Sequence, residues 1–362
     1  MAPNIRVRGV DSLNQLLGCL SGKETDCLLS RTDVGTGSVA PKRKKFIDMS
    51  LVRGNETGKR GLEIAAAGGH NILMYGPPGT GKTMLAQSFP SILPPLSTEE
   101  AIEVTGIHSA AGILGAELVT EPPFRAPHHT ASYPAIVGGG AFPRPGEITL
   151  AHRGVLFLDE FPEFDRSVLE ALRQPLEEHS ITISRAKGTV TFPAQCILIA
   201  SMNPCQCGKP QGDGCTCKAH ELRAYRRRLS GPIMDRLDIM VNVNKIDYDK
   251  LSSSVSTAEK SSAIRGRVAA ARAIQAERFS RYSLRKRCNG EMGAGDIDKL
   301  AALSDGARSF LNSSAKSLRL SGRAFHRVIK VARTIADLAG ESSVSKLHIM
   351  EALQYRQKAM EI

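Results

Sequence analysis

The sequence predicts an α/β protein, a parallel sheet covered by helices, followed by an all-helical domain. From Phe46 to Lys245, short apolar runs alternate with helical stretches and turn signals, as they do where parallel strands are joined by covering helices. Within that stretch, Gly76-Pro77-Pro78-Gly79-Thr80-Gly81-Lys82-Thr83 follows one apolar run and opens a helix, so a phosphate loop sits at the sheet's edge. From Leu251 to Ile362 the pattern changes to Ala- and Arg-rich helices, with Ser252-Ser253-Ser254 at the junction.

A chain of 362 residues is long enough for two domains with sizeable cores. With 41% hydrophobic and 23% charged residues it is an ordinary globular chain, which excludes the disordered and fibrous classes. No apolar run approaches the roughly 18 residues of a membrane span. Met1 to Leu20 lacks the basic start and apolar centre of a secretory leader. The expectation is a cytoplasmic protein with no membrane partner.

Residues 1–45 are weakly patterned, carry the run Lys42-Arg43-Lys44-Lys45, and read as a linker or the remnant of something longer. The charge is unevenly laid out. Up to Cys217 there are 20 Lys and Arg against 21 Asp and Glu, and after it 28 against 15, so the formal +12 lies entirely in the C-terminal part. Such a basic half fits a polyanion, most simply nucleic acid, held by salt-sensitive phosphate contacts. A solvated basic helical surface fits the charge equally well.

The apolar Ile72-Leu73-Met74-Tyr75 reads as a strand and Thr83 to Phe89 as a helix, the context that a P-loop requires. Its glycines free backbone N–H groups to surround phosphate oxygens, Lys82 reaches the β and γ oxygens of ATP, and the Thr83 hydroxyl can ligate Mg²⁺. Val155-Leu156-Phe157-Leu158 reads as a buried strand ending in Asp159-Glu160. Asp159 would hold the metal, and Glu160 would activate water as general base. A third buried strand, Cys196 to Met202, ends in Asn203. Its amide would touch the γ-phosphate or the water, or else simply cap a turn before Pro204.

Taken in order, the P-loop, Asp159-Glu160, Asn203, Ser230-Gly231-Pro232-Ile233-Met234-Asp235-Arg236-Leu237-Asp238 and Leu320-Ser321-Gly322-Arg323-Ala324-Phe325-His326-Arg327 resemble the magnesium-chelatase-like AAA+ ATPases. Within these the chain is most similar to the YifB/ComM group. The resemblance runs from about Phe46 to Tyr355, and Phe124-Arg125-Ala126-Pro127-His128-His129 is more specific than the P-loop. It implies a P-loop AAA+ αβα core over residues 46–248 and a helical lid over residues 249–362. It also implies a homo-oligomeric ring, hexameric, with ATP at the subunit interfaces, and DNA branch migration as in ComM-like helicases. Two alternatives are a magnesium-chelatase-type subunit that remodels a protein partner, and a nucleotide-gated DNA-binding module with little turnover. By the same resemblance Arg236 is the arginine finger offered to a neighbour's γ-phosphate, and Arg323 is the sensor 2 arginine of the lid.

Residues 106–150, rich in Gly and Pro, separate the P-loop helix from the Asp159 strand, and so long a connection is usually functional. Ile181 to Arg185 and Thr189 to Phe192 alternate at period two around Ala186-Lys187-Gly188, a hairpin with a basic tip spanning 181–192. In similar ring helicases this insert and this hairpin project into the pore. Arg185 and Lys187 are thus candidate DNA contacts, or otherwise solvated turn charges. His128 and His129 have no evident partners and read as structural.

Cys205, Cys207, Cys215 and Cys217 form C-x-C-x7-C-x-C. In a reducing compartment, four thiols within the loop 205–217 fit a structural Zn²⁺ knuckle, although the one-residue gaps are tighter than usual and free thiols in a Gly-rich loop are the alternative. The resemblance further implies a Lon-protease-like domain ahead of the ATPase, of which Val10 to Leu20 reads as the remaining tail.

Overall fold

Leu62, Ile64 and the run Ala65-Ala66-Ala67 bury almost the whole of the first helix, α1 (Glu56–Gly68), which Gly69 ends in the left-handed region at φ 65°. The structure is a computed structural model that describes residues 46–114, 118–140, 143–185, 188–209, 214–244 and 258–357. Strand β1 (Ile72–Tyr75) leads through the P-loop into α2 (Lys82–Ser88). Helix α3 (Thr98–Ala110) starts at a capping box, where the Ser97 hydroxyl accepts from the Glu100 amide and the Glu100 carboxylate accepts from the Ser97 amide. Next come β2 (Phe124–Arg125), the two-residue strands β3 (Gly138–Gly139) and β4 (Arg144–Pro145), β5 (Val155–Leu158) and the short helix α4 (Arg173–Glu178). The hairpin β6 (Ser180–Arg185) and β7 (Gly188–Pro193) precedes β8 (Ile197–Met202), α5 (Ala219–Arg228) and β9 (Ile239–Asn242). The long α6 (Ser261–Arg281) opens the helical part, in which α7 (Gly322–Leu338) and α8 (Lys346–Gln357) are the other main elements.

The five principal strands lie parallel in the order β2–β5–β8–β1–β9. Every residue of β5 and β8 is buried, because helices cover both faces. Side-chain alternation in β1 divides the core. Ile72 and Met74 join Leu62 and Ala65 of α1, Val268 of α6 and Val328 of α7, whereas Leu73 joins Phe161, Leu172, Ile233 and Met240 on the other face. This is the expected αβα core, with helices following it.

The helical part is bonded to the end of α1. Arg272 donates from Nε and Nη2 to the Ala66 carbonyl at 2.9 and 2.7 Å, and Gln275 donates to the Ala67 carbonyl at 3.2 Å, so side chains of α6 satisfy carbonyls that the helix end leaves open. Deeper in, Asp337 accepts from Arg333, Arg278 and Asn289, with Arg333 and Asp337 fully buried. Residues 1–45 and the expected boundary near residue 248 lie outside the described residues.

The stretch 106–150 is more ordered than its composition suggests. Its first residues finish α3, β2 forms the edge of the main sheet beside β5, and β3 pairs with β4. Two-residue strands carry no periodicity, so the pattern gives no sign of them.

Candidate functional site

At the carboxyl end of β1, Gly76 passes so close to the backbone that follows β9 that a Cβ on it would stand 2.1 Å from the Val243 carbonyl oxygen, leaving room for glycine alone. Gly79 and Gly81 follow at φ 76° and 89°, with no atom within 4 Å of where a Cβ would be, so their backbone faces open space. Lys82 folds back beneath the loop. Its Nζ donates to the carbonyls of Gly76 and Pro77, both at 2.7 Å, and to Asn203 Oδ1 at 3.2 Å. Burial pushes the Lys82 ammonium down to about 8, against an opposing pull from the Asp159 carboxylate.

Asp159 directly follows β5 and is held from two sides. Thr83 Oγ1 donates to its Oδ2 at 2.9 Å, and the Ser201 hydroxyl donates to its Oδ1. Glu160 sits at φ 51°, a left-handed conformation uncommon outside glycine, and its half-exposed carboxylate stands 3.2 Å from His129 Nδ1. Residues Pro78 to Thr83, Asp159, Glu160, Ser201 and Asn203 line one cleft of about 400 Å³. Residues far apart in sequence thus converge, with hard oxygen donors, an ammonium and an amide around one space. The two Gly backbones and Lys82 suit a polyphosphate, and the Thr83 hydroxyl with Asp159 suits Mg²⁺.

His129 has partners that the sequence did not disclose. Besides Glu160, its ring lies 4.1 Å from that of His128 and meets Phe164 edge-on at 6.4 Å. Ser201 is a second residue unread from the sequence. Nothing in local spacing signals either one, since both act across strands.

Arg236 lies at the other end of the sheet. Its carbonyl accepts from Asn71 Nδ2 just before β1, and its Nη2 pairs with Glu177 Oε1 at 2.7 Å. Only 4% exposed, it also leaves its Nε without a partner. Arg323, at the start of α7 and 60% exposed, stands 3.5 Å from the same Glu177 oxygen. Neither arginine lines the P-loop cleft. The expected hairpin forms, with Arg185 paired to Gly188 in register, but the Arg185 side chain and Lys187 lie outside the described residues. Cys205, Cys207, Cys215 and Cys217 come together beside Asn203. Among the described residues no helix is long and apolar enough to cross a membrane.

The family described as "Magnesium chelatase, subunit ChlI" matches residues 48–251, and "Magnesium chelatase, subunit ChlI C-terminal" matches residues 258–356. The chain is 46% identical to the uncharacterized protein YifB of Salmonella typhimurium over 85% of its own length and 60% of that protein. It is 44% identical to the competence protein ComM of Haemophilus influenzae over 86% of its own length and 60% of that protein. An uncharacterized protein of Mycobacterium tuberculosis is 40% identical over 99% of this chain and 70% of that protein. The chain therefore spans 60% of the length of YifB and ComM.

Proposed function

The chain belongs to the magnesium-chelatase-like AAA+ family, in the YifB/ComM group, and on that premise we propose that it is a Mg²⁺-dependent ATPase that assembles into a ring, hexameric in number, and moves on DNA. The observation that carries the ATPase reading is the convergence of Lys82, Thr83, Asp159, Glu160 and Asn203 on one cleft.

In this reading the backbone amides around Gly79 and Gly81 bind the β-phosphate of the substrate ATP, and Lys82 exchanges its bonds to the Gly76 and Pro77 carbonyls for phosphate oxygens. Bound between the Thr83 hydroxyl and Asp159, Mg²⁺ would neutralise charge on the β and γ oxygens. Glu160 accepts the proton of the attacking water, and Asn203 orients that water or the γ-phosphate. Glu160 first has to leave His129. Because His129 follows β2 within the insert 106–150, its hold on Glu160 connects that insert to the general base.

Arg236 and Arg323 share Glu177 away from the P-loop cleft; Arg236 would act on the nucleotide of an adjacent subunit, and Arg323, at the start of α7, would tie lid position to nucleotide state. DNA as the partner is supported by the C-terminal excess of Lys and Arg and by likeness to ComM. Arg185 and Lys187 at the hairpin tip are the proposed contacts. The test is ATP hydrolysis by the wild type and Glu160→Gln, with and without forked or four-way DNA. The expected result is DNA-stimulated turnover in the wild type only. Turnover indifferent to DNA would instead favour remodelling of a protein partner, and wild-type turnover no higher than the variant's would overturn the ATPase reading.

A further inference from the structure

The four thiols beside the nucleotide cleft have the spacing of a metal's coordination shell. Cys205 Sγ stands 3.2 Å from Cys207 Sγ and 3.6 Å from Cys215 Sγ, and Cys207 Sγ stands 3.7 Å from Cys215 Sγ. With Cys217 included, all four sulfurs lie within 4.8 Å of one another. A tetrahedral Zn²⁺ with Zn–S bonds of about 2.3 Å sets sulfur–sulfur edges of about 3.8 Å. A disulfide would need about 2.05 Å. The sulfur separations bracket the tetrahedral edge and are too long for a disulfide. Four sulfurs so close leave room for one ion and exclude a two-iron cluster, whose second pair of ligands lies farther away. An all-thiolate shell selects a soft or borderline metal over Mg²⁺.

The same loop supports the nucleotide cleft. Cys205 follows Asn203 by two residues and is itself buried. The Asn203 amide accepts from Lys82, and its carbonyl accepts from the Tyr225 hydroxyl at 3.1 Å. Gly208, at φ 80° between the second and third cysteines, approaches the P-loop so closely that a Cβ there would meet Pro78 at 3.0 Å. Cys205 and Gln206 line a space of about 210 Å³ with Glu160, Asn203 and Tyr225.

We propose that Cys205, Cys207, Cys215 and Cys217 bind one zinc ion, and that this ion clasps the loop so that Gly208 supports Pro78 and Asn203 stays beside Lys82. The ion replaces the thiol protons, which are released on binding, and no redox change occurs. With four protein ligands the site is closed to water, so its role is structural. The metal site stands on the sulfur geometry alone, whereas the clasp rests on the ATPase reading above.

The full chain is purified without chelator and its metal content measured. The expected result is one zinc per chain, and after exchange with Co²⁺ the thiolate-to-cobalt charge-transfer band and tetrahedral visible bands. Cys215→Ser/Cys217→Ser loses both signals. Cys217→His keeps four ligands and retains the cobalt spectrum in shifted form, which separates ligation from general misfolding. Stripping the wild type with a mercurial and chelator weakens binding of a fluorescent ATP analogue by about tenfold or more, restored by zinc. Less than about a tenth of an ion per chain with no cobalt uptake overturns the site. Unchanged analogue binding after stripping overturns the clasp. A chain that takes up one ion yet binds no nucleotide sinks the ATPase reading and the clasp, and leaves the metal site standing.

Discussion

His129 Nδ1 stands 3.2 Å from Glu160 Oε2, so the group assigned to activate water is contacted by a side chain just after β2, within the insert 106–150. The pair is partly exposed, with 29% of the His129 side chain and 53% of the Glu160 side chain open to solvent. A contact of that kind biases an equilibrium without locking it.

His129→Ala should therefore raise basal ATP turnover modestly. A partly exposed side-chain contact contributes at most about 1 kcal/mol, which corresponds to an increase of about fivefold at most. If DNA works by drawing the insert away from Glu160, stimulation by DNA should shrink by a similar factor, because the variant already has its base free. Steady-state rates with and without DNA check both. A variant with unchanged basal rate and full stimulation would show that the contact does not restrain the base.

Lys82 gives a pH prediction. Burial lowers its folded-state value to about 8 from the ordinary 10.5. Between those values the unfolded chain binds more protons than the folded one, so the nucleotide-free protein should gain stability as pH rises from about 8 towards 10.5. Phosphate oxygens favour the charged amine, so binding has the opposite trend: affinity should fall as pH rises through about 8. Titrating a fluorescent ATP analogue between pH 7 and 9.5 measures this. Lys82→Arg, charged throughout, should bind with a flatter profile, and equally steep profiles would remove Lys82 as the cause.

What the sequence disclosed, and what it hid, follows from the range of each signal. The P-loop was legible because its glycines, Lys82 and Thr83 are contiguous and flanked by a strand and a helix. Asp159 was legible as the end of the apolar run Val155–Leu158, and the hairpin β6–β7 from its period-two alternation. The four cysteines could be read as a set from spacing alone. By contrast, Glu177 and Ser201 act across elements and carry no local mark. His129 was visible only as part of a string, since Glu160 lies 31 positions away and no periodicity connects the two. The edge strand β2 was hidden by its two-residue length.

The buried Asp337 supports a stability prediction. It accepts hydrogen bonds from Arg333, Arg278 and Asn289. Asp337→Ala would leave Arg333 buried with only backbone carbonyls to bond, and unpaired buried charge costs about 3–5 kcal/mol. Chemical denaturation should show a loss of that order, with the helical part affected first. A change below about 1 kcal/mol would mean that solvent reaches the site and screens the charges.

Arg236 supplies the last prediction. It is paired with Glu177 at the amino-terminal end of the sheet, and its own P-loop lies at the other end. If it completes a neighbour's site, Arg236→Ala should bind ATP normally yet lose about 10³-fold or more in turnover. Lys82→Ala should lose binding instead. Mixing the two inactive variants distinguishes the geometries, because an interface formed by the Arg236→Ala P-loop and the Lys82→Ala arginine contains both intact halves. Such mixtures should recover turnover in proportion to those interfaces. Recovery absent at every ratio, in mixtures shown to co-assemble, would place Arg236 in the structure of its own subunit, where it pairs with the half-exposed Glu177 and bonds the Pro232 carbonyl.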